Sequence, residues 1–130
     1  MSRWRHFTAP EFACQGQDCC KGRLKMDPDF IDLLDEMRHR CGFPWVISSG
    51  YRCPAHNSRV SSTGPTGPHT TGRAVDVAVS RAQAHEVARV AFDMGMTGIG
   101  FRQHGNQRFV HLDNLTEADG YPRPTIWTYG

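Results

Sequence analysis

The sequence contains no apolar run of about 18 residues, so it holds no helix able to span a bilayer. It also has no apolar run of roughly 7–15 residues behind its charged start, so a cleavable secretory signal is not expected. The chain is then expected to be made in a cytoplasm and to stay there until something releases it. Lysine is scarce: 13 of the 15 basic residues are arginine. Against 13 acidic residues the net charge is only +2, which argues against a nucleic-acid surface. No internal repeat and no linker-like stretch is present, and 130 residues read as a single domain, 1–130. Apolar residues make up 38%, and 13 glycines accompany them, which excludes long disorder, a coiled coil or a collagen. Two residue types are plentiful instead: seven His and five Cys. That many soft and borderline ligands in a small chain make a metal site worth seeking.

The cysteines are Cys14, Cys19, Cys20, Cys41 and Cys53. A cytoplasmic chain keeps thiols reduced, and five cannot all pair. Cys14, Cys19 and Cys20 form the one cluster. Three readings stand open for it: a structural zinc with a fourth ligand from elsewhere, a disulfide formed after release, or thiols packed in a tight loop. The spacing lacks C-x2-C pairs. Cys41, at a helix end, and Cys53, beside a proline, read as packing residues.

Residues 1–26 show no period and read as irregular. A helix is expected from Pro28 to about Cys41, with Asp27 as N-cap and Pro28 at the first position. Phe30, Ile31, Leu33, Leu34 and Met37 form its apolar stripe, and Gly42 ends it. Residues 44–48 read as a short strand and 49–73 as mostly loop, a length that is usually functional or disordered. The loop leads into a strand over Ala74–Val79. There Val75, Val77 and Val79 face one way and Asp76 the other, with Ala74 and Ala78. A second helix is expected from Arg81 to Met94, with Ser80 and Gln83 as a capping box and Ala84, Val87, Ala88, Ala91 and Met94 as its buried stripe. Strands over 97–102 and 108–113 flank a turn at His104–Gln107, a hairpin pattern. Phe109, His111 and Asp113 share one face of the second strand. Residues 116–130 read as a tail, with an edge strand near Ile126.

His69, Asp76 and His111 stand out as metal ligands. His69 and Asp76 are seven positions apart across a glycine-containing loop that feeds a strand. If the strands bearing Asp76 and His111 are neighbours, both side chains point to one face and the loop folds His69 over it. Two imidazoles and a carboxylate suit a catalytic zinc, which polarises a carbonyl and activates water for amide hydrolysis. Taken singly, Asp76 reads rather as a solvent-facing residue and His111 as a histidine satisfied in the core; it is their joint pattern with His69 that points to a metal. The alanines beside Asp76 leave open space above its carboxylate.

The run Gly67-Pro68-His69-Thr70-Thr71-Gly72-Arg73-Ala74-Val75-Asp76 resembles the S-x-H-x-x-G-x-A-x-D signature of the M15 zinc peptidases. These are D-alanyl-D-alanine carboxypeptidases and related peptidoglycan peptidases of the Hedgehog/DD-peptidase fold. Ser49-Gly50-Tyr51-Arg52, with Pro54 and Asn57, is similar to their S-G-Y-R-x-P-x-x-N segment. Gly98-Ile99-Gly100-Phe101 and Phe109-Val110-His111-Leu112-Asp113 resemble their G-x-G and F-V-H-x-D strands. The likeness covers roughly residues 7–115, and the short form is most similar to members carried by bacteriophages. It implies an α+β fold: a small antiparallel sheet with helices mainly on one face and a zinc cleft on the other. It implies one catalytic zinc on His69, Asp76 and His111, Arg52 as the grip on a substrate carboxylate, and Gly72 as the flexible joint of the loop.

Two positions depart from the pattern. Gly67 replaces the usual serine, and Arg108 stands where many relatives carry an acidic general base. Asp113 is then a candidate proton acceptor or, equally, a partner that orients an imidazole. His104 is a candidate oxyanion donor or proton shuttle, or else an exposed turn residue. His6, His39, His56 and His85 read as surface or loop residues. The expected function is a zinc peptidase cleaving bacterial peptidoglycan stem peptides, as a carboxypeptidase or an endolysin-type endopeptidase. It is expected to be a monomer that acts on the wall after phage lysis or from the virion. The alternatives are an inactive zinc-binding wall or virion-associated domain, and a structural virion component.

Overall fold

Asp27 and Pro28 begin the first helix as their chemistry predicts. In the computed structural model, which describes residues 3–16 and 19–129, α1 spans Pro28–Cys41. The Asp27 carboxylate accepts the Asp29 N–H at 2.9 Å. Gly42 ends the helix in the left-handed region at φ 77, where a side chain is disfavoured. Phe30, Ile31, Leu34 and Met37 are buried. α3 spans Arg81–Asp93 and buries Ala84, Val87, Val90 and Ala91. Ala88 and Met94, expected in that stripe, are only half-buried, and Val90 takes the inner place. The expected capping box is also not formed. Ser80 makes no side-chain bond to the helix. Arg81 enters with φ 52, outside the helical range that a capping box needs at the first helical residue.

Residues 49–73 are less loop-like than the pattern suggests. They contain α2, Pro54–Val60, and two 3-10 turns, Gly64–Thr66 and Pro68–Thr71. α2 has no apolar stripe; its buried residue is the polar Asn57.

Five strands form one sheet: β1 Ile47–Ser49, β2 Ala74–Val77, β3 Gly98–Arg102, β4 Phe109–Asp113 and β5 Thr125–Thr128. Their order is β1-β2-β4-β3-β5. The expectation of an antiparallel sheet holds for four strands, but β5 runs parallel to β3. The reason lies in the connection. β4 ends at Asp113 opposite Gly98, and the chain re-enters beside that same end of β3, pairing Thr125 with Gly98. Starting there, β5 can only run with β3.

Among the described residues the fold is therefore α+β, with three α-helices and a five-stranded sheet. Val75, Val77, Ile99, Val110 and Leu112 from the sheet share one core with the buried residues of α1 and α3, and with Phe7 and Phe12 of the N-terminal segment. No described helix is long and apolar enough to cross a membrane.

Candidate metal centre

Strand register builds the centre. Asp76 of β2 and His111 of β4 are direct partners in the antiparallel ladder, so their side chains stand together on one face. Nδ1 of His111 lies 3.0 Å from Oδ1 of Asp76. His69, in the 3-10 turn before β2, brings Nε2 to 3.3 Å from the same oxygen. The three ligand-type atoms lie within 4.8 Å of one another, and all three residues are buried. Gly72 makes this turn possible: at φ 78 it is left-handed, the conformation glycine adopts most easily.

The second nitrogen of each imidazole is tied down. His69 Nδ1 donates to the Gly50 carbonyl at 2.8 Å, and His111 Nε2 donates to Asp113 at 2.8 Å. These bonds fix the tautomers and leave the lone pairs of His69 Nε2 and His111 Nδ1 turned toward Asp76. Burial would raise the Asp76 carboxyl, but the two imidazoles outweigh it and hold the group well below the usual carboxylate range. Burial pushes His69 down, toward the neutral form that can ligate. For His111 burial acts the same way, yet the hydrogen bonds to Asp113 and Asp76 prevail and raise it. A cation, proton or metal, is what the space between Nδ1 and Asp76 favours. Two imidazole nitrogens and one carboxylate oxygen, each imidazole braced by an oxygen behind it, fit a zinc ion.

Arg52 belongs to the same cleft. Its Nη2 lies 3.5 Å from Asp76 Oδ2, Nε donates to Ser49 Oγ at 3.0 Å and Nη1 to Asn57 Oδ1 at 3.1 Å. Its backbone N–H donates to the His69 carbonyl at 3.1 Å. The Ser49–Arg52 segment and the His69 turn thus hold each other through bonds in both directions.

Asp113 sits behind the trio. It is fully buried and bonded to Arg123 through Nε and Nη2 at 2.9 and 2.8 Å. Gly98 makes room for it, because a side chain there would collide with the carboxylate. His104 is not brought to the trio: it is exposed, and its Nε2 meets the Tyr129 carbonyl at 3.1 Å. Arg108 is half-buried, and its Nε donates to the Gly105 carbonyl at 3.0 Å.

A cleft of roughly 1020 Å³ opens over His69, Asp76 and His111; its walls include Arg52, Arg123, Trp127 and Tyr129. The last three come from the stretch read as a tail. Trp127 packs on the His111 ring with centroids 5.0 Å apart, above the bare backbone of Gly100. Their one sequence signal is aromatic density, with Tyr121, Trp127 and Tyr129 close together. Asn57 was visible within a motif, but its bond to Arg52 was not.

The family model described as Peptidase M15 matches residues 5–113. The chain belongs to the peptidase M15 family. M15 peptidases are zinc-dependent, which agrees with the donor set of His69, Asp76 and His111. Membership makes the chain a metallopeptidase with a peptide-type substrate. The match ends at Asp113, so the Arg123, Trp127 and Tyr129 wall of this M15 peptidase lies beyond it. No curated protein matches the chain.

Proposed function

We propose that the chain is a zinc-dependent hydrolase of peptide bonds in bacterial peptidoglycan stem peptides. The observation that carries this is the convergence of His69, Asp76 and His111 beneath a cleft that also presents Arg52. The reading includes a Hedgehog/DD-peptidase-like arrangement, with helices behind the sheet and the cleft in front. It also includes a bacteriophage source and a role in host-wall lysis, which rest on the resemblance of the motifs.

His69, Asp76 and His111 would hold one zinc ion, which when bound supplies Lewis acidity toward a scissile carbonyl and its attacking water. Arg52 presents a planar fork of donors suited to a peptide carboxylate. Ser49 and Asn57 hold that fork on edge in the cleft. Tyr129 stays protonated at neutral pH, since burial pushes its hydroxyl up to about 12, and so offers a donor on the cleft wall. Asp113 acts as a positioning residue: its oxygens are taken by His111 and Arg123, which leaves it no path to a water in the cleft. His104, away from the trio, takes no part.

Arg108 in place of an acid favours one second reading, a zinc-holding domain that binds wall without cleaving it. Digestion of purified stem peptides, with and without a terminal D-Ala-D-Ala, separates the two by product mass. Zinc-loaded protein is expected to release D-Ala or an internal fragment, and His111→Ala to release nothing. Wall binding by the loaded protein with no product from either would overturn the enzyme reading and select the second.

A further inference from the structure

Four of the five cysteines meet at one point outside the cleft lining. The Sγ atoms of Cys14, Cys19, Cys20 and Cys53 all lie within 4.8 Å of one another. They come from three stretches of chain, with Cys53 placed 39 positions after Cys14. The sulfurs of Cys19 and Cys20 are 3.7 Å apart. Four thiolates about 2.3 Å from a tetrahedral zinc stand about 3.8 Å from each other. A disulfide would hold its sulfurs at about 2.05 Å. Ordinary packing explains one such contact, but not the convergence of four sulfurs.

The surroundings suit bound anionic sulfur. Two backbone N–H groups point at the sulfurs: Cys53 N–H donates to Cys14 Sγ and His56 N–H to Cys53 Sγ, each at 3.4 Å. Cys14 N–H donates to the Arg23 carbonyl at 2.8 Å, closing the loop that carries Cys19 and Cys20. Cys14, Cys53 and Tyr51 are buried together, with Met26 packed against them. Gly16 faces Cys19 Sγ so closely that any side chain there would collide with it. Lys21, Arg23 and Lys25 follow directly in sequence, and they include both lysines of the chain.

We propose that Cys14, Cys19, Cys20 and Cys53 form a second, structural zinc site. On binding, the four thiols release their protons to solvent, and the divalent ion with four thiolates carries a net double negative charge. The basic run after Cys20 complements that charge. Four protein ligands close the coordination shell, so this ion does no chemistry on substrate. Its effect is mechanical. Cys53 adjoins Arg52 in the chain and caps α2, so the site pins the N-terminal segment to the arm that carries Arg52 into the cleft.

Metal analysis of the full chain, purified under reducing conditions without chelator, tests this independently of any peptidase activity. Two zinc ions per chain are expected in the wild type. A His69→Ala/His111→Ala variant should retain one, and Cys19→Ser/Cys20→Ser should lose one. Should the cysteine variant fail to fold, the cobalt-loaded histidine variant decides with all cysteines intact. Strong thiolate-to-cobalt charge-transfer absorption supports the site. A histidine variant that binds neither zinc nor cobalt overturns it, as does non-reducing mass analysis showing these sulfurs already paired as disulfides.

Discussion

Asp113 is caught between two donors that define its behaviour. Burial alone would raise its carboxyl, but the hydrogen bonds from His111 and Arg123 outweigh that and hold it down at about 2. At neutral pH it is an anion in a fixed frame, and the His111 ring takes its orientation from it. Asp113→Asn keeps the volume and removes the charge that favours the Nε2–H tautomer of His111. Zinc affinity is expected to fall about 10- to 100-fold, measured by competition with a chromogenic chelator, while the far-ultraviolet circular dichroism stays native. Affinity equal to wild type would remove the positioning role from Asp113. The trio itself was readable because its geometry is local or periodic. His69 and Asp76 share one loop and strand, and strand alternation sends Asp76 and His111 to one face. Cys53 was not readable as a partner of Cys14, because nothing periodic links positions so far apart.

α1 and α3 were legible from apolar residues at helical spacing, and their caps set the boundaries. α2 was hidden because it is held by Asn57, which donates to Thr63 Oγ1 at 2.9 Å and accepts from Arg52; a helix fixed by polar bonds leaves no stripe. The edge strand near Ile126 was expected and is β5, but its partner, its direction and the place of the segment before it were hidden for a different reason. All three follow from long-range pairing with β3, which no local pattern records. That segment supplies Arg123, whose side chain is 6% exposed against a carboxylate that is 0% exposed. Arg123→Ala would leave Asp113 buried without its counter-charge. The expected loss is about 3–5 kcal/mol of folding stability, read from urea unfolding. Arg123→Lys is expected to recover only part of it, since an ammonium cannot make the two-nitrogen contact. A loss below about 1 kcal/mol, the size of an exposed pair, would mean that water reaches Asp113.

The N-terminal segment and α1 are joined over a third buried carboxylate, Asp35, and this joint links the protein's stability to acid. Asp35 Oδ1 accepts the His6 N–H at 3.0 Å, and Oδ2 accepts the Arg5 N–H and Nε at 3.2 and 3.3 Å. Burial opposes ionisation, but the two backbone donors and the guanidinium prevail, so the folded pKa lies below the unfolded one. The unfolded chain then binds more protons between those two values, and stability rises with pH across that interval. The contribution of Asp35 is complete above the unfolded value of about 4 and is lost as pH falls through the folded value. Asp35→Asn turns one oxygen acceptor into a donor facing an N–H group. It is expected to cost about 1–3 kcal/mol at pH 7 and to remove part of the acid slope, because Asn does not titrate. Arg3→Ala, by contrast, breaks only the solvent-exposed contacts of Arg3 with Asp29 and Asp32, which water and salt screen, and is expected to cost far less than Asp35→Asn. Urea unfolding at fixed zinc, with each variant compared to wild type at the same pH, cancels any common release of metal by acid. Equal losses from the two variants, or an unchanged acid slope in Asp35→Asn, would show that surface pairing rather than this buried joint fastens the N-terminal segment.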